Sequence, residues 1–195
     1  MKRFIITESE KNNIREMYGL INEQEDIISQ YVTDSRLEKI LKEIENTLGE
    51  NFTKEHFEYE INVSGEIKTE SNGLLSEVVT AFNKMKNESG CDDIFIKDVS
   101  YRTYETQKNM FIKEGNKNPS IGSKINFAMK RVSIPGYSQH HTGLAIDYGG
   151  NTICLREKTW PNGDFNRPNK WGFKLPYMLG GNIRMKEPWH LFYVN

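Results

Sequence analysis

Apolar residues recur at helical spacing in several stretches of the chain and at strand-like spacing in others. Ile14, Met17, Tyr18 and Ile21 fall at i, i+3, i+4 and i+7. Ahead of them Thr7-x-x-Glu10 has the form of a capping box, so a short amphipathic helix is predicted. Residues 24–33 read as linker or as its continuation. Leu37, Ile40, Leu41, Ile44 and Leu48 make a second apolar face, opened by Ser35-x-x-Glu38 and closed by Gly49. Phe57, Tyr59, Ile61 and Val63 alternate with Glu58, Glu60 and Asn62, which predicts a half-buried strand that Gly65 turns back through Ile67. Leu74, Leu75, Val78, Val79, Phe82 and Met85 mark a helix stopped near Gly90. Ile94, Phe95, Ile96 and Val99 predict a strand that delivers Arg102. Thr103 then caps a helix to about Lys113, with Gln107 little more than a turn beyond Arg102. Ile121 to Arg131 reads as helical, and Pro135-Gly136 as a turn. The Gly-, Asn- and Pro-rich residues 149–170 read as loop with at most short strand. Order resumes at Trp171-Gly172-Phe173 and ends in a final strand. Helices and strands without regular alternation predict an α+β fold with an antiparallel sheet.

Composition narrows the class. The 195 residues suit one domain with an appendage, and 36% hydrophobic with 11% aromatic residues supply a core. A net charge of −1 gives no general attraction to nucleic acid. No apolar run approaches the roughly 18 residues of a membrane span. Glu8, Glu10 and Lys11 interrupt any apolar signal region near the amino terminus. The expectation is a protein made in the cytoplasm and not exported by the usual route. Cys91 and Cys154 suggest no disulfide framework and are expected to be free thiols.

Two clusters carry the chemistry. In Ser138-Gln139-His140-His141-Thr142-Gly143-Leu144-Ala145-Ile146-Asp147, two metal-ligand types, His140 and Asp147, are separated by a small, apolar run. Gly143 permits a turn or a close backbone approach, and Leu144 to Ile146 enter a strand that carries Asp147. Near the carboxyl terminus, Glu187-Pro188-Trp189-His190 adds a third ligand, His190, and a spare carboxylate, Glu187. Two His and one carboxylate form a common protein set for catalytic zinc. A further carboxylate supplies the general base that such chemistry needs. Pro188 biases Glu187 to an extended conformation, which helps set carboxylate and ligand in a fixed relation.

Ser-x-His-x-x-Gly-x-Ala-x-Asp followed by Glu-x-Trp-His resembles the VanY-type D-alanyl-D-alanine carboxypeptidases, zinc peptidases related to lysostaphin-type enzymes and the hedgehog amino-terminal domain. Tyr101-Arg102-Thr103-Tyr104-Glu105-Thr106-Gln107 is similar to a third element of that family. The likeness spans about Gly73 to Asn195. It implies a small antiparallel sheet flanked by helices, with one zinc ion per chain in the cleft. His140, Asp147 and His190 would be the ligands and Glu187 the general base. Arg102, Gln107 and Ser138 would hold the substrate on the side of its terminal carboxylate, the planar Arg102 fork gripping it in two bonds. The motif places the ligand two residues after Ser138, which selects His140 over His141. On an extended segment the two would in any case point opposite ways. Cys154 as a fourth ligand closing the site is the alternative that would make the metal structural.

The implied function is hydrolysis of the stem peptide or cross-link of bacterial peptidoglycan, as a D,D-carboxypeptidase or an endopeptidase. The rivals are a non-hydrolytic zinc-containing binding module and a structural or cargo protein of a virion. Three regions are expected: 1–23 as an N-terminal helix or cleaved leader, 24–70 as a helical and strand extension, and 71–195 as the peptidase domain. The leader reading rests on Ile21-Asn22-Glu23, which resembles the site cut by prohead proteases of tailed phages. It would fit a phage lytic enzyme, carried in the virion or released at host lysis.

Overall fold

The computed structural model describes residues Thr7, Glu10, 26–65, 68–120, 122–178 and 186–194. In chain order the described elements are helices α1 (Ile27–Tyr31), α2 (Ser35–Leu48), α3 (Lys54–Ser64) and α4 (Ser76–Ser89), strand β1 (Phe95–Ile96), and helices α5 (Tyr104–Gly115) and α6 (Lys124–Met129). Strand β2 (Ala145–Gly149), helix α7 (Thr152–Thr159) and strands β3 (Phe173–Lys174) and β4 (His190–Tyr193) follow. Short 3-10 turns at Asp98–Ser100 and Gln139–Thr142 precede α5 and β2. The sheet order is β1-β2-β4-β3 and every pairing is antiparallel. This is the expected α+β architecture: a small antiparallel sheet with helices around it.

The described residues form two apolar cores. A helical half is built on Leu37, Ile40, Leu41, Ile44 and Leu48 of α2, joined by Phe57 of α3, Phe111 of α5, Ile125 of α6 and Tyr137. A sheet half gathers Val78, Phe82 and Met85 of α4 with Ile146 and Tyr148 of β2, Leu155 of α7, Phe173 of β3 and Leu191 of β4. In α2 the predicted apolar face is buried and Gly49 ends the helix in the left-handed region at φ 69°. Its cap lies one residue earlier than expected. The Asp34 carboxylate accepts from the amides of Arg36 and Leu37, and Ser35 is already helical. The Thr7–Glu10 capping box is present: the Thr7 amide and hydroxyl donate to the Glu10 carboxylate, and the Glu10 amide donates back to the Thr7 hydroxyl. The apolar face and leader site predicted beyond it lie outside the described residues.

Four expectations are corrected. The segment read as a strand through Phe57, Tyr59, Ile61 and Val63 is the helix α3. Thr53 is extended at its start and its amide donates to His56 Nδ1 at 3.0 Å, closing the first turn. Its buried side is Phe57, Glu60 and Ser64, a helical period that includes polar residues. Glu60 is buried because it accepts from the Ile134 amide at 3.0 Å and the Ser64 hydroxyl at 2.9 Å. The strand expected from Ile94 to Val99 is only two residues long before the chain tightens into a 3-10 turn. The stretch 149–170 contains α7, capped by the Asn151 side chain on the Cys154 amide. Cys91 and Cys154 form a disulfide that joins the end of α4 to α7. That bond also removes Cys154 as a metal ligand.

The halves are laced along the metal motif. The Ser71 amide donates to the His141 carbonyl at 2.7 Å, and the Leu75 amide to the Gly143 carbonyl at 3.1 Å. Gly143 has φ +72°, and a Cβ there would lie 2.2 Å from the Gly73 carbonyl oxygen. Both uses foreseen for this glycine, the turn and the close approach, are realised. No described helix is long and apolar enough to cross a membrane.

Candidate metal centre

Strand pairing assembles the site. Asp147 of β2 stands directly opposite His190 of β4, and Ile146 opposite Leu191. Side chains alternate across a sheet, so Asp147 and His190 share one face while Ile146 and Leu191 enter the sheet-half core. His140 arrives from the 3-10 turn, where the Ser138 hydroxyl accepts from the His140 amide at 3.4 Å. The candidate ligand atoms of His140, Asp147 and His190 lie within 4.8 Å of one another and all three residues are buried. Asp147 Oδ1 is 3.1 Å from His190 Nδ1 and 3.5 Å from His140 Nε2.

The outer hydrogen bonds decide which nitrogens face the centre. His140 Nδ1 lies 2.5 Å from the Ser100 carbonyl, an obligate acceptor, so Nδ1 carries the proton and Nε2 presents its lone pair. His190 Nε2 lies 2.9 Å from Gln139 Oε1, which leaves Nδ1 turned to Asp147. Two imidazole nitrogens and a carboxylate oxygen thus face one another, and both nitrogen–oxygen separations are close to the roughly 3.3 Å edge of a tetrahedral zinc site. The residues fit that ion. Such outward bonds to ligating histidines orient the rings and raise their basicity. Ser100 also clamps Asp147 itself: its hydroxyl accepts from the Asp147 amide at 3.0 Å and donates to the Asp147 carbonyl at 2.9 Å. Burial alone would raise the Asp147 carboxyl, but the adjoining His190, His140 and Arg102 hold it far below the usual range. Burial, then the Arg102 charge, drives His140 well below an ordinary histidine, so it stays neutral and able to ligate.

His141 is turned away from this centre. It sits in a 3-10 turn rather than the extended segment expected. Its Nδ1 lies 2.7 Å from the Arg102 carbonyl and its Nε2 accepts from the Gly136 amide at 3.1 Å. Burial pushes it down to about 4, which keeps the neutral form that one donor and one acceptor require.

The proposed substrate residues are placed differently from one another. Arg102 lines the cleft beside the centre, its Nη2 on Asp147 Oδ2 at 2.6 Å and its Nε on the Val99 carbonyl at 3.0 Å. Gln107 is fully buried and donates to the Ser133 carbonyl at 2.8 Å. Ser138 is buried under the His140 turn. Glu187 reaches the same cleft, a cavity of about 220 Å3 that Arg102, Met110, Arg131, Asp147 and Trp189 also line. The Glu187 carbonyl accepts from the His190 amide at 3.1 Å, which ties the carboxylate's residue to the ligand's. A larger cavity of about 570 Å3, around Glu50, His56 and Asn126, contains none of these residues. Ser100, Gln139 and Arg131 were missed in the sequence. Gln139 stands inside the motif and Ser100 just before Tyr101, so position was their only signal. Arg131 carried none.

A buried group of two histidines and an aspartate on a small antiparallel sheet opens onto a small cleft, and comparison with known proteins gives the class. Residues 71–195 match the model of the VanY family, D-alanyl-D-alanine carboxypeptidase. The chain belongs to this family. It is 30% identical over 145 residues, 69% of this chain, to YodJ of Bacillus subtilis (strain 168), a protein that carries the name of a carboxypeptidase. It is 26% identical over 132 residues, 62% of this chain, to a D-alanyl-D-alanine carboxypeptidase of Enterococcus faecium. The aligned regions span 51% and 37% of those relatives' own lengths. Among solved structures it is similar to the vancomycin resistance D,D-pentapeptidase VanY from a VanB-type cassette in complex with Zn(II). That match has a TM-score of 0.49 and 21% identity, and covers 67% of this chain and 79% of the other.

Proposed function

We propose that this protein is a zinc-dependent peptidase that hydrolyses D-alanyl-D-alanine-type peptides of bacterial peptidoglycan. The observation that carries the reading is the close grouping of His140, Asp147 and His190, with Glu187 lining the same cleft. One zinc would be held by His140 Nε2, Asp147 Oδ1 and His190 Nδ1. When bound, it supplies Lewis-acid polarisation of the scissile carbonyl and acidification of water.

The chain's own groups do the rest. The Glu187 carboxylate takes the proton of the attacking water and delivers it to the departing amine. Arg102 steadies Asp147 through Oδ2 and faces the substrate from the base of the cleft, where its charge favours a terminal carboxylate. Gln107 and Ser138 act one layer further out, by holding the 133–140 segment that carries His140. Trp189 and Met110 wall the cleft and limit water. The Cys91–Cys154 bond suits an oxidising compartment, and we place the working enzyme there, on the wall side of the membrane.

The test is release of D-alanine from a pentapeptide ending in D-alanyl-D-alanine. Purified protein should release it, lose the activity with a chelator and regain it with zinc. Internal fragments instead of free D-alanine would make it an endopeptidase. Tight zinc binding without hydrolysis of any wall peptide would contradict the enzyme and leave a binding module.

A further inference from the structure

Resting on that reading of the cleft, we infer that Arg131 determines specificity by pairing with a second, internal carboxylate of the peptide substrate. Among the described residues, Arg102 and Arg131 are the cations that line this cleft, and they are not equivalent. The Arg102 side chain is 11% exposed and bonded to Asp147. Arg131 follows the end of α6, on the opposite, helical wall, with its side chain 42% exposed. The acidic groups lining the cleft, Asp147 and Glu187, are taken by the metal centre and the general base.

Arg131 is held in place without being satisfied there. Its guanidinium carbon sits 5.3 Å from the centre of the Phe127 ring, a stacking geometry that restrains a flexible side chain. Its carboxylate neighbour is Glu114, whose Oε2 is 3.8 Å from Nη1, too far for a hydrogen bond. That Oε2 is itself buried without a hydrogen-bond partner, while Oε1 is taken by Lys117. A restrained, partly exposed guanidinium on a substrate wall suits a planar anion, and a carboxylate is the one that peptides carry. A cleft of about 220 Å3 is smaller than an ordinary ligand pocket of roughly 300–1,000 Å3, so it admits only the end of a peptide. With the terminal carboxylate near the buried Arg102, the rim cation meets the next one inward.

The experiment uses zinc-loaded protein and two peptides ending in D-alanyl-D-alanine. They differ only in an internal glutamyl carboxylate, free in one and amidated in the other. Wild type should prefer the free acid. Arg131→Gln should shrink that preference in kcat/KM by about 10- to 100-fold, the worth of one hydrogen bond to a charged group. Arg131→Lys should retain part of it, and thermal unfolding of each variant checks the fold. An unchanged preference, or an equal loss on both peptides, would overturn the role of Arg131 while leaving the peptidase intact. Failure of zinc-loaded wild type to cut either peptide would sink the peptidase and this inference with it.

Discussion

The two halves of the molecule solve different problems. The sheet half carries Asp147 and His190 on paired strands, in fixed register, with a disulfide tying α4 to α7 behind them. Among the described residues, the helical half contributes none of the proposed ligands. It supplies Met110 and Arg131 to the opposite wall and is held by apolar packing around α2 and α5. His140 and His141 stand where the halves meet, one turned to the metal centre and the other bonded to Gly136 and the Arg102 carbonyl. Two of the three proposed ligands thus sit on hydrogen-bonded strands, and the opposite wall is carried by the packed helical half.

The comparison can be broken at several points. The largest effect is expected from Glu187→Gln. It removes the proton acceptor but none of the ligands, so turnover should fall about 10²- to 10⁴-fold with zinc content unchanged. Steady-state kinetics with metal quantification checks both halves of that statement. Next is Ile44→Ala in the centre of the helical core, where the side chain is fully buried. It should cost about 2–5 kcal/mol of unfolding free energy. Zinc affinity should stay near wild type in the folded fraction, because the ligands rest on the other core. Denaturant melts and zinc competition would show a linked loss if the division between halves is wrong.

Replacing Cys91 and Cys154 together by Ser should lower stability by about 2–4 kcal/mol. Hydrogen exchange should then open first in α4 and α7, while α2 and α5 keep their protection. The smallest effect belongs to Gln139→Ala. Without the acceptor on His190 Nε2, zinc affinity should weaken about 10- to 100-fold. Competition against a fluorescent chelator measures it, and unaltered affinity would make Gln139 incidental.

The legibility of the chain follows the same division. The grouping of His140, Asp147 and His190 is legible because ligation demands particular residue types at set spacing, and the family likeness supplied their order. The small residues between His140 and Asp147 also announced the close approach that Gly143 makes to Gly73. The helical half was harder. Phe57, Tyr59, Ile61 and Val63 fit a period of two, yet the buried residues are Phe57, Glu60 and Ser64. A buried, hydrogen-bonded Glu60 looks like a surface residue until its partner at Ile134 is known. In the stretch 149–170, Gly, Asn and Pro on either side concealed a short helix whose Ile153 is exposed. Two cysteines separated by 63 positions give no local sign of pairing. Arg131 became visible only once α6 was seen to place it across the cleft from Asp147.

The central claim is that His140, Asp147 and His190 hold the zinc on which peptide hydrolysis depends. Its most direct test is metal content in parallel preparations of wild type, His140→Ala, His190→Ala and His56→Ala. His56 lines the other cavity, which shares no lining residue with the cleft, and controls for the loss of a histidine. The account predicts about one zinc per chain in wild type and His56→Ala, and little in the other two. Wild-type zinc content in folded His140→Ala and His190→Ala would contradict it.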